Sequence, residues 1–169
     1  MIITSFPPVT APGACVLILG SMPGQESLRR QRYYAHPRNL FWPIMAELCG
    51  FDSSLPYAER LEQLLRRGFA LWDVLKHCER DGSLDSAIKQ HTEVPNDFAS
   101  FLTAHHTIQL IGFNGQKAAK AFQKHVLPTL STTITERLTL LPLPSTSPAN
   151  IGQSHSVKVA RWAEILAYL

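Results

Sequence analysis

The stretch Ala14-Cys15-Val16-Leu17-Ile18-Leu19-Gly20 constrains this chain more than any other, because it is apolar without alternation and is closed by the turn residues Ser21-Met22-Pro23-Gly24. A strand with one face in water alternates apolar and polar positions, whereas an unbroken apolar run bounded by turn residues is buried on both faces. That is the habit of a parallel strand covered by helices. Strand and helix signals then alternate. Phe41, Ile44, Met45 and Leu48 recur at helical spacing, as do Leu61, Leu64 and Leu65. Phe69–Val74 reads as a second strand, and Phe98, Phe101 and Leu102 as a helix behind an Asn96 cap. Ile108–Gly112 reads as a third strand, Ala118, Ala119, Phe122 and Val126 as a helix, Leu138–Leu141 as a fourth strand, and Trp162, Ile165, Leu166 and Leu169 as a closing amphipathic helix. The expected fold is α/β: a three-layer α/β/α sandwich around a central, mostly parallel four-stranded sheet, with residues 1–169 forming a single domain.

Composition narrows the classes. At 45% hydrophobic and 17% charged residues the chain is too apolar for disorder. The N-terminal segment lacks the basic flank and long apolar region of a secretion signal, and Cys15–Leu19 is too short to cross a bilayer, so a cytoplasmic, monomeric protein with no membrane partner is expected. Cys15, Cys49 and Cys78 are widely spaced with no Cys-x-x-Cys pair, which predicts reduced thiols and neither a metal site nor a metal-type cofactor. A net charge of +3 permits nucleic-acid binding without arguing for it. A phosphate-binding Gly-x-x-x-x-Gly-Lys loop and a carboxylate cluster for metal are both missing, which weighs against a phosphohydrolase.

In open α/β sheets ligands bind beyond the carboxyl ends of the strands. That rule selects Gly20–Gly24, Trp72-Asp73, Gly112–Gly115 and Pro142–Asn150, together with the long loop from Gln25 to Leu40. This loop carries Tyr33-Tyr34-Ala35-His36-Pro37-Arg38-Asn39-Leu40-Phe41-Trp42, with Arg29, Arg30 and Arg32 just upstream. Aromatics beside arginines suit a site that stacks a base and holds phosphates, although Phe41 and Trp42 read better as helix anchors in the core.

Gly-Ser-Met-Pro-Gly followed by Tyr-Ala-His-Pro-x-Asn-x-Phe-Trp resembles the first motif region of the uracil-DNA glycosylase superfamily, above all its mismatch-specific and hypoxanthine-DNA glycosylase branches. Leu143-Pro144-Ser145-Thr146-Ser147-Pro148-Ala149-Asn150 is similar to the second motif. The resemblance implies a monofunctional enzyme that flips a deaminated base out of DNA and hydrolyses its glycosidic bond. Hypoxanthine is the expected base, and no cofactor is needed. It implies that Tyr34 stacks on the base, that Ser21 and Met22 line its pocket, and that Ser145, Thr146, Ser147, Pro148, Ala149 and Asn150 grip phosphates and wedge the minor groove.

The chain departs from the family at Met22, where most members carry the Asp or Asn that activates water; a thioether cannot do so. By elimination Asn39 becomes the catalytic candidate, with helix capping as its alternative role. His36 is the second, either stabilising the departing base or bonding the loop backbone. Asp73 is expected to accept the N1 proton of hypoxanthine, or else to cap a helix or pair with Lys76. Asn114 is expected to contact the base or cap a helix, and Arg38 and Lys117 to meet phosphates. Two alternatives stay open: a uracil or thymine mismatch glycosylase, and a non-catalytic sensor of damaged DNA.

Overall fold

The computed structural model describes residues 1–169. Its central sheet contains β2 (Val16–Gly20), β3 (Phe69–Asp73), β6 (Leu110–Asn114) and β7 (Thr139–Leu143), all parallel, in the order β3-β2-β6-β7. The apolar run of β2 lies in the middle, and its alternate residues serve two different cores. Leu17 and Leu19 face a layer with Phe98, Leu102, Phe113 and Phe122, while Val16 and Ile18 face a layer with Phe41, Ile44, Met45 and Trp162. Each such side chain contributes about 1.5–3 kcal/mol on burial, which is why neither face of the strand tolerates a polar residue.

Helices α2 (Phe41–Cys49) and α3 (Tyr57–Arg66) precede β3, α4 (Phe98–Ala104) precedes β6, and α5 (Gln116–Ala121) and α6 (Thr132–Arg137) lie between β6 and β7. A short α1 (Gln25–Arg30) sits inside the long loop, and α7 (His155–Trp162) ends the chain with a 3-10 stretch over Ala163–Tyr168. The third and fourth strands run further toward their carboxyl ends than their apolar patterns suggest, because ladder hydrogen bonding carries Asn114 and Leu143 into register. Asn96 is not the cap of α4. Asp97 accepts from Ser100 N (3.1 Å), and the Asn96 amide instead donates to Asp73 O (2.8 Å), holding the end of β3. No helix is long and apolar enough to cross a membrane.

A second sheet is unforeseen by the sequence pattern: β1 (Ile2–Thr4), β4 (Leu75–Glu79) and β5 (Val94–Pro95), antiparallel, in the order β1-β4-β5. Its strands are short, and β4 buries Leu75 and Cys78 without a period of two, with an irregularity between Leu75 and His77. The sheet projects the turn 80–88 toward the carboxyl edge of the main sheet, closed by a bridge between Arg80 and Ile88.

Candidate functional site

The sheet order reverses direction between β2 and β6, and the carboxyl ends of these two strands open into a cleft of about 750 Å³. Four of the expected segments line it: the turn after β2, Asp73, Asn114 and Ser145–Asn150, with Tyr34, His36, Arg38 and Asn39 from the long loop. A fifth wall, Ser83–Ser86, comes from the turn after β4.

Asp73 lies at the bottom. Its place opposite Gly20 in the β2–β3 ladder brings the carboxylate over a glycine; a Cβ there would stand 2.6 Å from Asp73 Oδ1 and 3.3 Å from Tyr34 Oη. Gly20 is therefore required by close approach. Asp73 is 3% exposed and Oδ2 has no partner. Burial, and then the nearby Asp85 carboxylate, push its pKa up to about 7, against a smaller opposing pull from Arg80. Asp73 neither caps a helix nor pairs with Lys76, since no such bond or ion pair forms.

Tyr34 holds a left-handed backbone conformation (φ 56°), which costs a residue with a Cβ about 1–2 kcal/mol. Its ring stacks on Phe41 at 4.0 Å and 22°. The hydroxyl is buried without a hydrogen-bond partner, and burial, with the Asp73 carboxylate adding to it, raises its pKa strongly. Tyr33 is turned the other way, into the core, its hydroxyl donating to Pro7 O (2.9 Å).

Asn39 Oδ1 accepts from Phe41 N (2.9 Å) in a local turn that leads into α2, whose N-cap is Leu40 rather than Asn39, while its Nδ2 stays free at the cleft. His36 bonds the loop backbone: its Nδ1 accepts from Arg38 N (3.1 Å), which in the neutral ring leaves the proton on Nε2. Arg38 is exposed on the rim. Ser21 Oγ donates to Asp85 Oδ1 (2.6 Å), and Met22 is 6% exposed, packed into the core.

The second motif is built differently from the expectation in one respect. Thr146 is fully buried and its backbone N–H and hydroxyl both bond the Asn114 amide, at 2.9 Å each, so its hydroxyl faces the protein rather than a phosphate. Asn114 caps no helix; Gly115 precedes α5, and the amide instead ties β6 to the loop. The loop is further tightened by Ser147 N to Ser145 Oγ (3.1 Å), Ala149 N to Ser147 Oγ (3.2 Å) and Asn150 Nδ2 to Ser145 O (3.0 Å). Beneath it the buried Lys158, missed by sequence reasoning, donates to Asn150 O (2.7 Å). Lys117, expected at a phosphate, pairs with the buried Glu93 (2.6 Å), because an acid enclosed by β5 and α5 needs a cation more than the surface does.

Sequence reasoning also missed Asp85 and Arg80. Asp85 is an exposed residue whose carboxylate turns into the cleft against Ser21. Crowding by the protein on that side raises its pKa. Arg80 braces the same wall by donating to Pro23 O (2.7 Å) and Gly82 O (2.8 Å). The only signal was the turn sequence Asp81-Gly82-Ser83, which says nothing of where the turn docks. No three His, Cys, Asp or Glu side chains gather in a way that would hold a metal ion.

The family described as the uracil DNA glycosylase superfamily matches residues 7–168. A protein of Methanosarcina barkeri (strain Fusaro / DSM 804) named hypoxanthine DNA glycosylase is 40% identical over 116 residues, which is 68% of this chain and 72% of that one. One of the same name from Methanosarcina acetivorans is 36% identical over 140 residues, 78% of this chain and 87% of its own. The solution NMR structure of a Methanosarcina acetivorans protein assigned as a uracil DNA glycosylase superposes with a TM-score of 0.81 at 33% identity, covering 98% of this chain and 97% of that one.

Proposed function

The chain belongs to the uracil DNA glycosylase superfamily, and from that premise we propose that it releases hypoxanthine from deoxyinosine in DNA, with Asn39 orienting the attacking water. The relatives named hypoxanthine DNA glycosylase support a DNA glycosylase that acts on a deaminated base. The observation that carries the choice of base is Asp73, whose buried Oδ2 is unpartnered at the bottom of the cleft. In its ionised form Asp73 accepts from the N1–H of hypoxanthine, whereas adenine presents a lone pair at N1 and is repelled, so it is the carboxylate, not the neutral acid, that rejects the undamaged purine.

The reaction begins with phosphate contacts from the rim and the Ser145–Asn150 loop, followed by extrusion of the weakly paired nucleotide, which costs a few kcal/mol. The ring of Tyr34, backed by Phe41, stacks on the base. As the bond to the sugar lengthens, positive charge grows on the deoxyribose and negative charge on the purine, and the Nε2–H of His36 is available to the latter. The free amide of Asn39 holds a water near the anomeric carbon. No lysine lines the cleft to form a Schiff base, so the product is an abasic site rather than a nicked strand.

Duplexes with one deoxyinosine, deoxyuridine, deoxyxanthosine or G·T pair, treated with the protein and then with alkali, test this reading. Strand scission at deoxyinosine is expected, and Asn39→Ala should slow it on the order of 100-fold while leaving DNA binding intact. Scission at deoxyuridine or G·T alone would support a mismatch-type uracil or thymine glycosylase. Binding without scission on every duplex would identify a damage sensor.

A further inference from the structure

We propose that Asp85 is a further catalytic residue, the base that takes the proton from the attacking water, delivered by the turn after β4 and held in place by Ser21. This assignment rests on the glycosylase reading. It starts from a gap in that reading, because an amide such as Asn39 can orient a water but cannot accept its proton at neutral pH. Met22 is packed into the core and has no basic atom, so the turn after β2 supplies no base of its own.

The other carboxylates and the imidazole that line the cleft are each paired, bonded to the backbone or given another role in this reading. Glu26 is paired with Arg29 and Arg30, which hold its carboxyl down to about 2. The neutral ring of His36 has spent its lone pair at Nδ1 on Arg38 N and offers only a donor at Nε2. Asp73 lies at the bottom of the cleft, where it is assigned to the base edge. Asp85 remains. Its Oδ1 accepts from Ser21 Oγ at 2.6 Å, one residue from the position where the family's usual water-activating group stands, and Oδ2 makes no hydrogen bond to protein.

The turn that carries it is ordered, with Ala87 N bonded to Leu84 O (3.0 Å), Ile88 N to Asp85 O (3.1 Å) and Lys89 N to Glu79 O (2.9 Å). Two carboxylates in one cleft, one sealed at the bottom and one at the mouth, fit the division into a base reader and a proton acceptor. In the step itself a bond forms between the water oxygen and C1′, and the C1′–N9 bond breaks with its electron pair leaving on the purine. The water proton passes to Asp85 and then to solvent, and the released purine anion takes a proton from solvent.

The test is single-turnover excision from a deoxyinosine duplex by the full-length protein and its Asp85→Asn and Asp85→Ala variants, with DNA dissociation constants measured in parallel. Asp85→Asn keeps an oxygen for Ser21 to donate to, so the turn stays docked. Its rate should fall on the order of 10²–10⁴-fold with DNA affinity nearly unchanged. Added formate should restore part of the rate in Asp85→Ala, which a purely structural role would not allow. An Asp85→Asn rate within a few-fold of wild type overturns the assignment, as does loss of affinity in proportion to rate or an Asp85→Ala variant that formate leaves inactive. Wild-type protein that cleaves no duplex overturns the glycosylase reading itself, a failure distinct from these.

Discussion

Replacing Asp73 with asparagine should make the protein more stable and less active at once. The carboxyl is nearly fully buried, has one oxygen without a partner, and has the Asp85 carboxylate nearby; its pKa rises from 3.8 to about 7. A folded-state pKa above the unfolded value means that the native protein binds the proton more tightly, so stability is greatest at acid pH and falls as pH climbs from about 4 through about 7. Over that window the shift corresponds to about 4 kcal/mol lost to the ionised, desolvated carboxylate. The asparagine side chain carries no charge at any pH and escapes that cost. Thermal melting followed by circular dichroism should show the two proteins converging near pH 4 and the Asp73→Asn variant gaining above pH 7, by as much as about 8–16 °C for a chain of this size. Excision of hypoxanthine should fall in the same variant, because an amide accepts from N1–H without the charge assistance of a carboxylate. Melting curves whose separation does not change between pH 4 and pH 8, or a wild type more stable than the variant at pH 8, would refute the reasoning.

Two further outcomes follow from the packing. Gly20→Ala would drive a methyl to within 2.6 Å of Asp73 Oδ1, so the carboxylate must move; a loss of about 1–3 kcal/mol in denaturant unfolding and a collapse of excision are expected together. Lys117→Met would take from the buried Glu93 its nearest cation, leaving only His125 Nε2 at 3.6 Å, and should destabilise the fold by up to about 3–5 kcal/mol, read by the same unfolding assay. The salt dependence of DNA affinity should be unchanged in that variant, since Lys117 is engaged within the protein; a shallower salt slope would restore it to a phosphate contact.

The order of the four central strands and of the main helices between them, and the edge at which the cleft forms, were legible in the chain because they rest on local signals. A short unbroken apolar run closed by Gly and Pro reads as a strand covered on both faces, and the turn residues that close it mark the edge where ligands bind in such sheets. The two motifs were legible for the same reason, as contiguous loops of unusual composition. Tertiary structure alone decided what those side chains do. Asn114 and Thr146 satisfy each other and Lys117 satisfies Glu93, because a buried polar group must find its partner inside the protein wherever the fold brings one. Asp85 stands 64 residues from Ser21 in the chain and 2.6 Å from it in the cleft. No periodicity or spacing encodes that contact, since it depends on how a short irregular sheet docks its turn against a parallel one.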